Sequence, residues 1–373
     1  MFAAVDGIRP TDAPTGAPLA GAGRIADGLA SALRNGADAR DVAQTLRDLG
    51  QNDPALEDAV RGALEARLTP VEQGEMARAD AMDAALRAGG GGPSDAERRA
   101  IAVAFRRELD GNQSSLRSGA LSPSERSART ELQQVGELAL LNVDVYEDQS
   151  VASLLPRGFT ALSDRQAERQ FPGFTARDDR AGLYSRIYHD SESDTYVVVN
   201  RGTDDGWAPW GIVRGSPDGS TNRGLIFGSK TRQADLALAN ADAVADATGG
   251  RVAFSGHSLG GALASLQGAQ VGKPATVFNP LGLQEKLFER YTIDREGLDQ
   301  HVRAYVVDGD PVAGSNGFFG LERAPTTQLP SRDLSWSAND GLRSSDNSPD
   351  EHGMVSVIGG LLHRANAAIR EAR

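Results

Sequence analysis

The chain has 373 residues, a net charge of −12 and no cysteine. Its length allows one large domain with a smaller one, and its acidic balance argues against nucleic-acid binding by the surface as a whole. The lack of cysteine excludes a disulfide framework, a thiolate nucleophile and cysteine-bound metals. The first residues lack the basic and apolar parts of a Sec signal peptide, and no apolar stretch could span a bilayer. We therefore expect a soluble protein, secreted by a non-Sec route or otherwise cytoplasmic.

The first third of the chain is predicted to be helical with a thin core. Residues 1–23 are rich in proline, glycine and alanine and are expected to be disordered, whereas residues 24–130 carry helical periodicity. Asp53 and Pro54, for example, form an N-cap and first-turn pair. Among the aromatic side chains only Phe2 and Phe105 fall in this part. The simplest interpretation is a small all-α extension of the main domain. The alternative is a docking region for a secretion chaperone or delivery partner.

Residues 131–373 are predicted to form an α/β domain. Strands alternate with helices at a spacing that favours a mainly parallel central sheet covered by helices. The active site of such a sheet lies beyond the carboxyl ends of its strands. The predicted elements are a hairpin of strands 183–189 and 195–200, a helix over 231–248, an elbow strand before residue 256, a strand over 275–278, a helix over 284–291 and a strand over 302–307.

One short stretch gives this domain its chemistry. A β-branched and aromatic run beginning at Val252 stops at the turn Gly256-His257-Ser258-Leu259-Gly260 and continues into a helical pattern. A nucleophile elbow needs Gly256 and Gly260 because side chains there would collide with the neighbouring strand and helix. In a chain with 43 glycines the motif alone is weak, and the strand and helix around it are what distinguish it from a chance match.

A serine nucleophile needs a histidine base and a carboxylate that orients the histidine. In the hydrolase order Ser–acid–His, Asp310 is the preferred acid because it follows a predicted buried strand, and Asp308 is the second choice. His352 lies in a loop and is the preferred base. His363 is more consistent with a surface or packing residue of a C-terminal helix.

An oxyanion hole needs two N–H donors that converge on one point. The backbone of Leu259 is the first candidate, because it follows the nucleophile. Thr203 is the second, because it follows the strand that ends at Asn200.

With these pieces, residues 131–365 resemble the class 3 lipases of the α/β-hydrolase fold. The resemblance implies a triad of Ser258, Asp310 and His352 and an oxyanion hole of Thr203 and Leu259. One departure is Asn200, where the family usually has an apolar or aromatic residue. The segments that carry the likeness, in the family's order, are 197–203, 256–261, 272–280, 306–312 and 352–354.

By the same resemblance, residues 204–230 are a candidate lid. Trp207 and Trp210 in this glycine-rich loop would contact acyl chains or a membrane interface, or else pack on the core beneath the loop. The aspartate-rich stretch 346–351 lacks EF-hand spacing and is interpreted as a solvated loop. No metal or cofactor is expected.

The sequence thus predicts a serine hydrolase that cleaves lipid esters, as a lipase or phospholipase A, through an acyl-Ser258 intermediate. Its expected partners are a lipid or ester substrate and, transiently, a membrane surface. The absence of a Sec signal and the helical first third suggest a bacterial effector delivered by a specialised secretion machine. The alternatives are a hydrolase or thioesterase acting on soluble esters without interfacial activation, and a catalytically silent α/β-hydrolase used as a binding module.

Overall fold

A computed structural model describes the chain at residues 18–34, 42–43, 45–46, 49, 53–70, 72–74, 76–77, 95–119, 121–202, 229–310, 312, 324–330 and 353–372. Contacts divide the chain into two compact units, residues 1–111 and 112–373. The helices are α1 (Pro18–Arg34), α2 (Pro54–Glu65), α3 (Asp95–Arg117), α4 (Pro123–Asp144), α5 (Asp164–Gln170), α6 (Arg232–Thr248), α7 (Leu259–Val271), α8 (Glu285–Tyr291), α9 (Glu296–His301) and α10 (Met354–Glu371). The strands are β1 (Phe159–Ala161), β2 (Arg177–Asp178), β3 (Leu183–Asp190), β4 (Thr195–Asn200), β5 (Val252–His257), β6 (Ala275–Phe278), β7 (Val302–Val307) and β8 (Thr326–Leu329).

The described part of the first unit is helical and has an aliphatic core. Helix α2 begins at the predicted cap, where the Asp53 carboxylate accepts a hydrogen bond of 3.1 Å from the Leu56 amide. Leu29, Val60 and Leu64 are buried in one cluster, and no aromatic side chain belongs to that cluster among the described residues. The division between the units falls inside α3, so α4 belongs to the second unit. The domain limits drawn from the sequence stay a prediction.

Eight strands of the described chain form one mixed sheet in the order β1-β3-β4-β5-β6-β7-β8, with β2 paired to β3. Strands β1, β3 and β4 pair antiparallel, and β4 to β8 pair parallel. The predicted hairpin is present, with Ile187 opposite Val198. The prediction of a mainly parallel sheet is confirmed. The sequence missed β1 and β2 because strands of two and three residues are too short to show an alternating pattern, and it missed β8 because three of its four residues are polar.

Alternate residues of the central strands face two different cores, as the two-residue period of a strand requires. Val198 and Phe254 are buried in a cluster that includes residues of α6 and α7. Val197 and Val199 are instead buried with Leu141 of α4. Helix α7 is buried along its length from residue 259 to residue 269 and is the central helix of the unit. No described helix combines the length and the apolarity needed to cross a membrane.

A buried ion pair fastens the end of α4 to strand β3. The Arg186 guanidinium donates to the Asp144 carboxylate at 3.0 Å, and both side chains are almost fully buried. Burial opposes the charge of Arg186, yet Tyr188, Tyr184 and Asp144 around it raise its pKa above the usual range. Arg186 also donates to the Glu147 carbonyl at 2.8 Å. The turn that follows α4 is therefore held on the sheet.

We expect Arg186→Met to lower the free energy of unfolding by about 3–5 kcal/mol, because it leaves the buried Asp144 carboxylate without its cation. Urea denaturation followed by circular dichroism measures the change. Arg177→Met is the matched control, since Arg177 pairs with Asp179 at an exposed site and its loss should leave the midpoint nearly unchanged. Equal effects of the two variants would contradict the prediction.

Candidate active site

Ser258 lies at the junction of β5 and α7 in a strained conformation. Its φ is 58° and its ψ is −125°, a combination that non-glycine residues rarely adopt. The Ser258 amide donates to the Phe278 carbonyl at 3.1 Å, and the Leu281 amide donates to the Ser258 carbonyl at 3.2 Å. Such strain persists only where the surroundings impose it, and it is concentrated at functional sites. The side chain is partly exposed, whereas its neighbours His257 and Leu259 are buried.

The two elbow glycines lie where no side chain fits. A Cβ at Gly256 would overlap the carbonyl group of Gly260. A Cβ at Gly260 would overlap the Asn200 carbonyl oxygen and lie 2.9 Å from the carbonyl carbon of Arg201. The first turn of α7 thus packs directly on the backbone at the end of β4. This close approach brings the chain after β4 next to the serine.

Gly202 is the contact between the end of β4 and the elbow. A Cβ at Gly202 would lie 2.7 Å from the His257 carbonyl oxygen and 3.3 Å from the Ser258 Cβ. Thr203, the next residue, lies outside the described residues. The described backbone therefore reaches the nucleophile at Gly202, the position directly before the predicted oxyanion donor.

Asn200, the departure from the class 3 lipase pattern, has polar partners in this chain. Its side-chain amide donates to the Gln267 side-chain oxygen of α7 at 2.7 Å. Its own side-chain oxygen accepts from the Ser185 hydroxyl at 2.7 Å. All three side chains are buried. A polar residue is accommodated at this place because its hydrogen bonds are satisfied.

The two candidate acids have different environments. Asp310 lies just beyond β7, is 2 % exposed, and accepts a hydrogen bond of 2.7 Å from the Val312 amide. Asp308 is exposed, and its amide donates to the Leu329 carbonyl of β8 at 2.9 Å. Strands β5 and β7 are parallel and separated by β6. Ser258 and Asp310 therefore follow strand ends at the same edge of the sheet.

Four of the five histidines lie among the described residues, and each belongs to a regular element. They are His189 of β3, His257 of β5, His301 of α9 and His363 of α10. His352, the predicted base, lies outside the described residues, one position before the described segment that carries α10. Trp207, Trp210 and the stretch 346–351, which is interpreted from the sequence as a solvated loop, lie outside the described residues as well.

The carboxyl end of the candidate lid is anchored by a tyrosine that sequence reasoning did not single out. The Thr231 amide donates to the Tyr291 hydroxyl at 3.2 Å, and the Lys230 ammonium lies 4.6 Å from the centre of the Tyr291 ring. Tyr291 also donates to Asp235 at 3.0 Å. No local signal marks this residue, because its partners are about sixty positions away in the chain.

Residues 137–316 match the family model described as a Tle-like phospholipase domain. This segment contains the end of α4, the elbow with Ser258 and the aspartate Asp310. The chain is also 32% identical, over 167 residues, to an extracellular phospholipase A1 of Serratia liquefaciens. That similarity covers 43% of this chain and 45% of the relative, so the chain spans less than half of the relative's length. Both matches support a lipase or phospholipase family, while the class 3 assignment stays a hypothesis.

Proposed function

We propose that the protein is a serine hydrolase of the phospholipase A type, which cleaves a carboxylic ester bond of a phospholipid. The observation that carries the proposal is the strained Ser258 between a parallel strand and a buried helix, the local geometry of a nucleophile elbow. The choice of phospholipid over other esters is supported by the family match over residues 137–316 and by the phospholipase A1 relative.

In the proposed reaction the Ser258 hydroxyl oxygen attacks the acyl carbonyl carbon while His352 takes the hydroxyl proton. The carboxylate of Asp310 orients His352 and stabilises its charged form. The N–H groups of Leu259 and Thr203 stabilise the negative oxygen of the tetrahedral intermediate. Collapse of the intermediate breaks the ester bond, and His352 protonates the departing lysophospholipid oxygen. Water then attacks the acyl-Ser258 ester by the same steps and releases the fatty acid.

The surroundings of the alternative residues, Asp308 for the acid and His363 for the base, support this assignment. Asp310 is buried and held by a backbone amide, as an orienting carboxylate should be, whereas Asp308 is exposed. His363 lies within helix α10 and lines a groove between α10 and α4. These observations favour Asp310 and His352 over the second choices.

A substrate panel tests the proposal. The wild type is expected to release fatty acid and lysophospholipid from phosphatidylcholine vesicles faster than it releases fatty acid from a triacylglycerol emulsion, as followed by lipid mass spectrometry. If activity is confined to triacylglycerol, to monomeric short-chain esters or to acyl thioesters, the protein is a lipase, a soluble-ester hydrolase or a thioesterase, respectively, and not a phospholipase. A wild type that neither cleaves any ester nor reacts with a fluorophosphonate probe would be a silent binding module.

The candidate lid has its own expected outcome within this panel. If residues 204–230 open at a lipid interface, turnover of a short-chain phospholipid should rise steeply above its critical micelle concentration. A rate that follows simple saturation through that concentration would assign the loop to the core instead. Delivery by a non-Sec route, with the helical first third as the docking region of a partner, stays a prediction from the sequence.

A further inference from the structure

Tyr146 connects the ends of two neighbouring strands, β4 and β5, although it belongs to neither. It lies two residues beyond α4, and its hydroxyl oxygen accepts a hydrogen bond of 3.1 Å from the Gly202 amide. The same oxygen lies 3.1 Å from Nδ1 of His257, the residue before the nucleophile. The rings of Tyr146 and His257 meet edge to face with their centres 6.2 Å apart. One hydroxyl therefore bridges the end of β4 and the end of β5.

The chemistry of these groups fixes the direction of one contact and allows either direction for the other. A backbone N–H can only donate, so Gly202 donates to the Tyr146 oxygen. The Tyr146 hydroxyl shares its second hydrogen bond with Nδ1 of His257, and the imidazole tautomer sets which of the two atoms donates. A phenol can accept and donate at the same time, whereas phenylalanine can do neither.

The tyrosine is itself held firmly enough to position its partners. The Arg186 guanidinium donates to the Glu147 carbonyl, the residue directly after Tyr146, at 2.8 Å. The Asp144 carboxylate accepts from the Val151 amide at 2.7 Å, which closes the same turn. Because the Asp144–Arg186 pair is buried, this turn is fixed to the sheet on both sides of Tyr146.

Gly202 is the partner whose position matters most for catalysis. Its place beside the Ser258 Cβ leaves no room for a side chain, and a Cβ there would lie 2.5 Å from the Tyr146 hydroxyl. The residue that follows Gly202 is the predicted second oxyanion donor. A displacement of about 1 Å at a reacting centre can lower a rate about 10²-fold. The position of the Gly202 backbone should therefore affect the rate of hydrolysis.

We propose that Tyr146 is a positioning residue of the active site: its hydroxyl clamps the Gly202 backbone to His257 and so sets the distance between the oxyanion strand and Ser258. The catalytic part of this inference rests on the proposed function, because it assumes that Ser258 is the nucleophile. The clamp itself consists of contacts between described residues. Tyr146 does not touch the substrate and acts through Gly202 and His257.

The test compares Tyr146→Phe with Tyr188→Phe. Tyr188 is the matched control because its buried hydroxyl donates to Asp144 at 2.8 Å, at the same end of α4, and its hydrogen bonds do not involve Gly202 or His257. For phosphatidylcholine hydrolysis we expect Tyr146→Phe to lower kcat about 10- to 100-fold with KM nearly unchanged. We expect Tyr188→Phe to keep kcat within about twofold of the wild type, although it should lower the thermal midpoint at least as much as Tyr146→Phe does.

Amide hydrogen exchange gives a readout that does not depend on activity. The Gly202 amide should exchange about tenfold faster in Tyr146→Phe than in the wild type, because its acceptor is gone. An unchanged kcat or an unchanged Gly202 exchange rate in a folded Tyr146→Phe overturns the proposal, and so does an equal loss of kcat in Tyr188→Phe. If the wild type cleaves no ester, the proposed function fails, and the Gly202 exchange rate alone then decides whether the clamp exists.

A second pair of variants examines the other end of the bridge. His257→Asn keeps a hydrogen-bonding side chain near the place of Nδ1, whereas His257→Leu removes it. The asparagine variant is expected to retain at least about fivefold more kcat than the leucine variant, with Gly202 exchange closer to the wild type. Equal kcat and equal exchange in the two variants would show that the imidazole acts by packing alone, contrary to the clamp.

Discussion

Replacement of Ser258 by alanine is expected to lower kcat for phospholipid hydrolysis about 10⁶-fold, the order of magnitude found when a triad nucleophile is removed. The fold should survive, because the Ser258 backbone bonds to Phe278 and Leu281 do not involve its side chain. Release of lysophospholipid measures the rate, and covalent reaction with a fluorophosphonate probe shows whether the nucleophile is present. Equal thermal unfolding midpoints of the wild type and Ser258→Ala would show that activity is lost through the chemistry and not through unfolding.

Two further serine variants separate chemistry from structure. Ser265→Ala removes a buried hydroxyl of α7, the helix that follows Ser258; this hydroxyl donates to the Gly261 carbonyl at 2.8 Å. The variant should leave both kcat and probe labelling unchanged. Ser258→Gly should be inactive yet more stable than Ser258→Ala by about 1 kcal/mol, because glycine adopts a φ of 58° without strain. Labelling that persists in Ser258→Ala would assign the nucleophile to another residue.

Gly260→Ala is expected to have the largest effect on folding. The added Cβ would overlap the Asn200 carbonyl oxygen, and the two backbones could separate only if α7 moved off the end of β4. We expect a loss of at least about 3 kcal/mol in the free energy of unfolding, the upper range for an overpacked core. Activity should be lost as well, because the movement would carry Ser258 away from Gly202. Chemical denaturation with a phospholipid assay measures both quantities.

Gly111→Ala is the matched control for this substitution. Gly111 is also a helical glycine, but a Cβ there would meet no atom within 4 Å. Alanine should therefore stabilise α3 by up to about 1 kcal/mol through its helix propensity and leave hydrolysis unchanged. A Gly260→Ala protein as stable and active as Gly111→Ala would show that the elbow does not need close backbone contact.

The features that could be predicted from the sequence are those encoded within a few neighbouring residues. The run from Val252 to Gly260 contains both the strand and the turn that place Ser258 in its strained conformation. The hairpin of β3 and β4 could likewise be predicted because its two strands are long enough to show β-branched patterning. Local patterns were insufficient for β8, because three of its four residues are polar and it is held in the sheet by pairing with β7.

The links between distant segments could not be predicted, because nothing in a local pattern records its partner. Tyr146 reaches Gly202 across 56 positions and His257 across 111. Asn200 was noted only as a departure, and its reason emerged from Gln267, 67 positions later. The preference for Asp310 over Asp308 rests on one strand end; Asp310 is buried and Asp308 is exposed, and the choice between them stays a prediction.

By itself the sequence determined the longer strands of the sheet and the serine at the turn between one of them and a helix, because hydrophobic periodicity and glycine spacing act over short distances. Only the tertiary structure decided which backbones touch at that turn. Strand order places β4 beside β5, and the absence of side chains at Gly202 and Gly260 lets the two chain segments meet. The hydroxyl of Tyr146 joins them there, because folding brings a residue from the turn after α4 within hydrogen-bond reach of both.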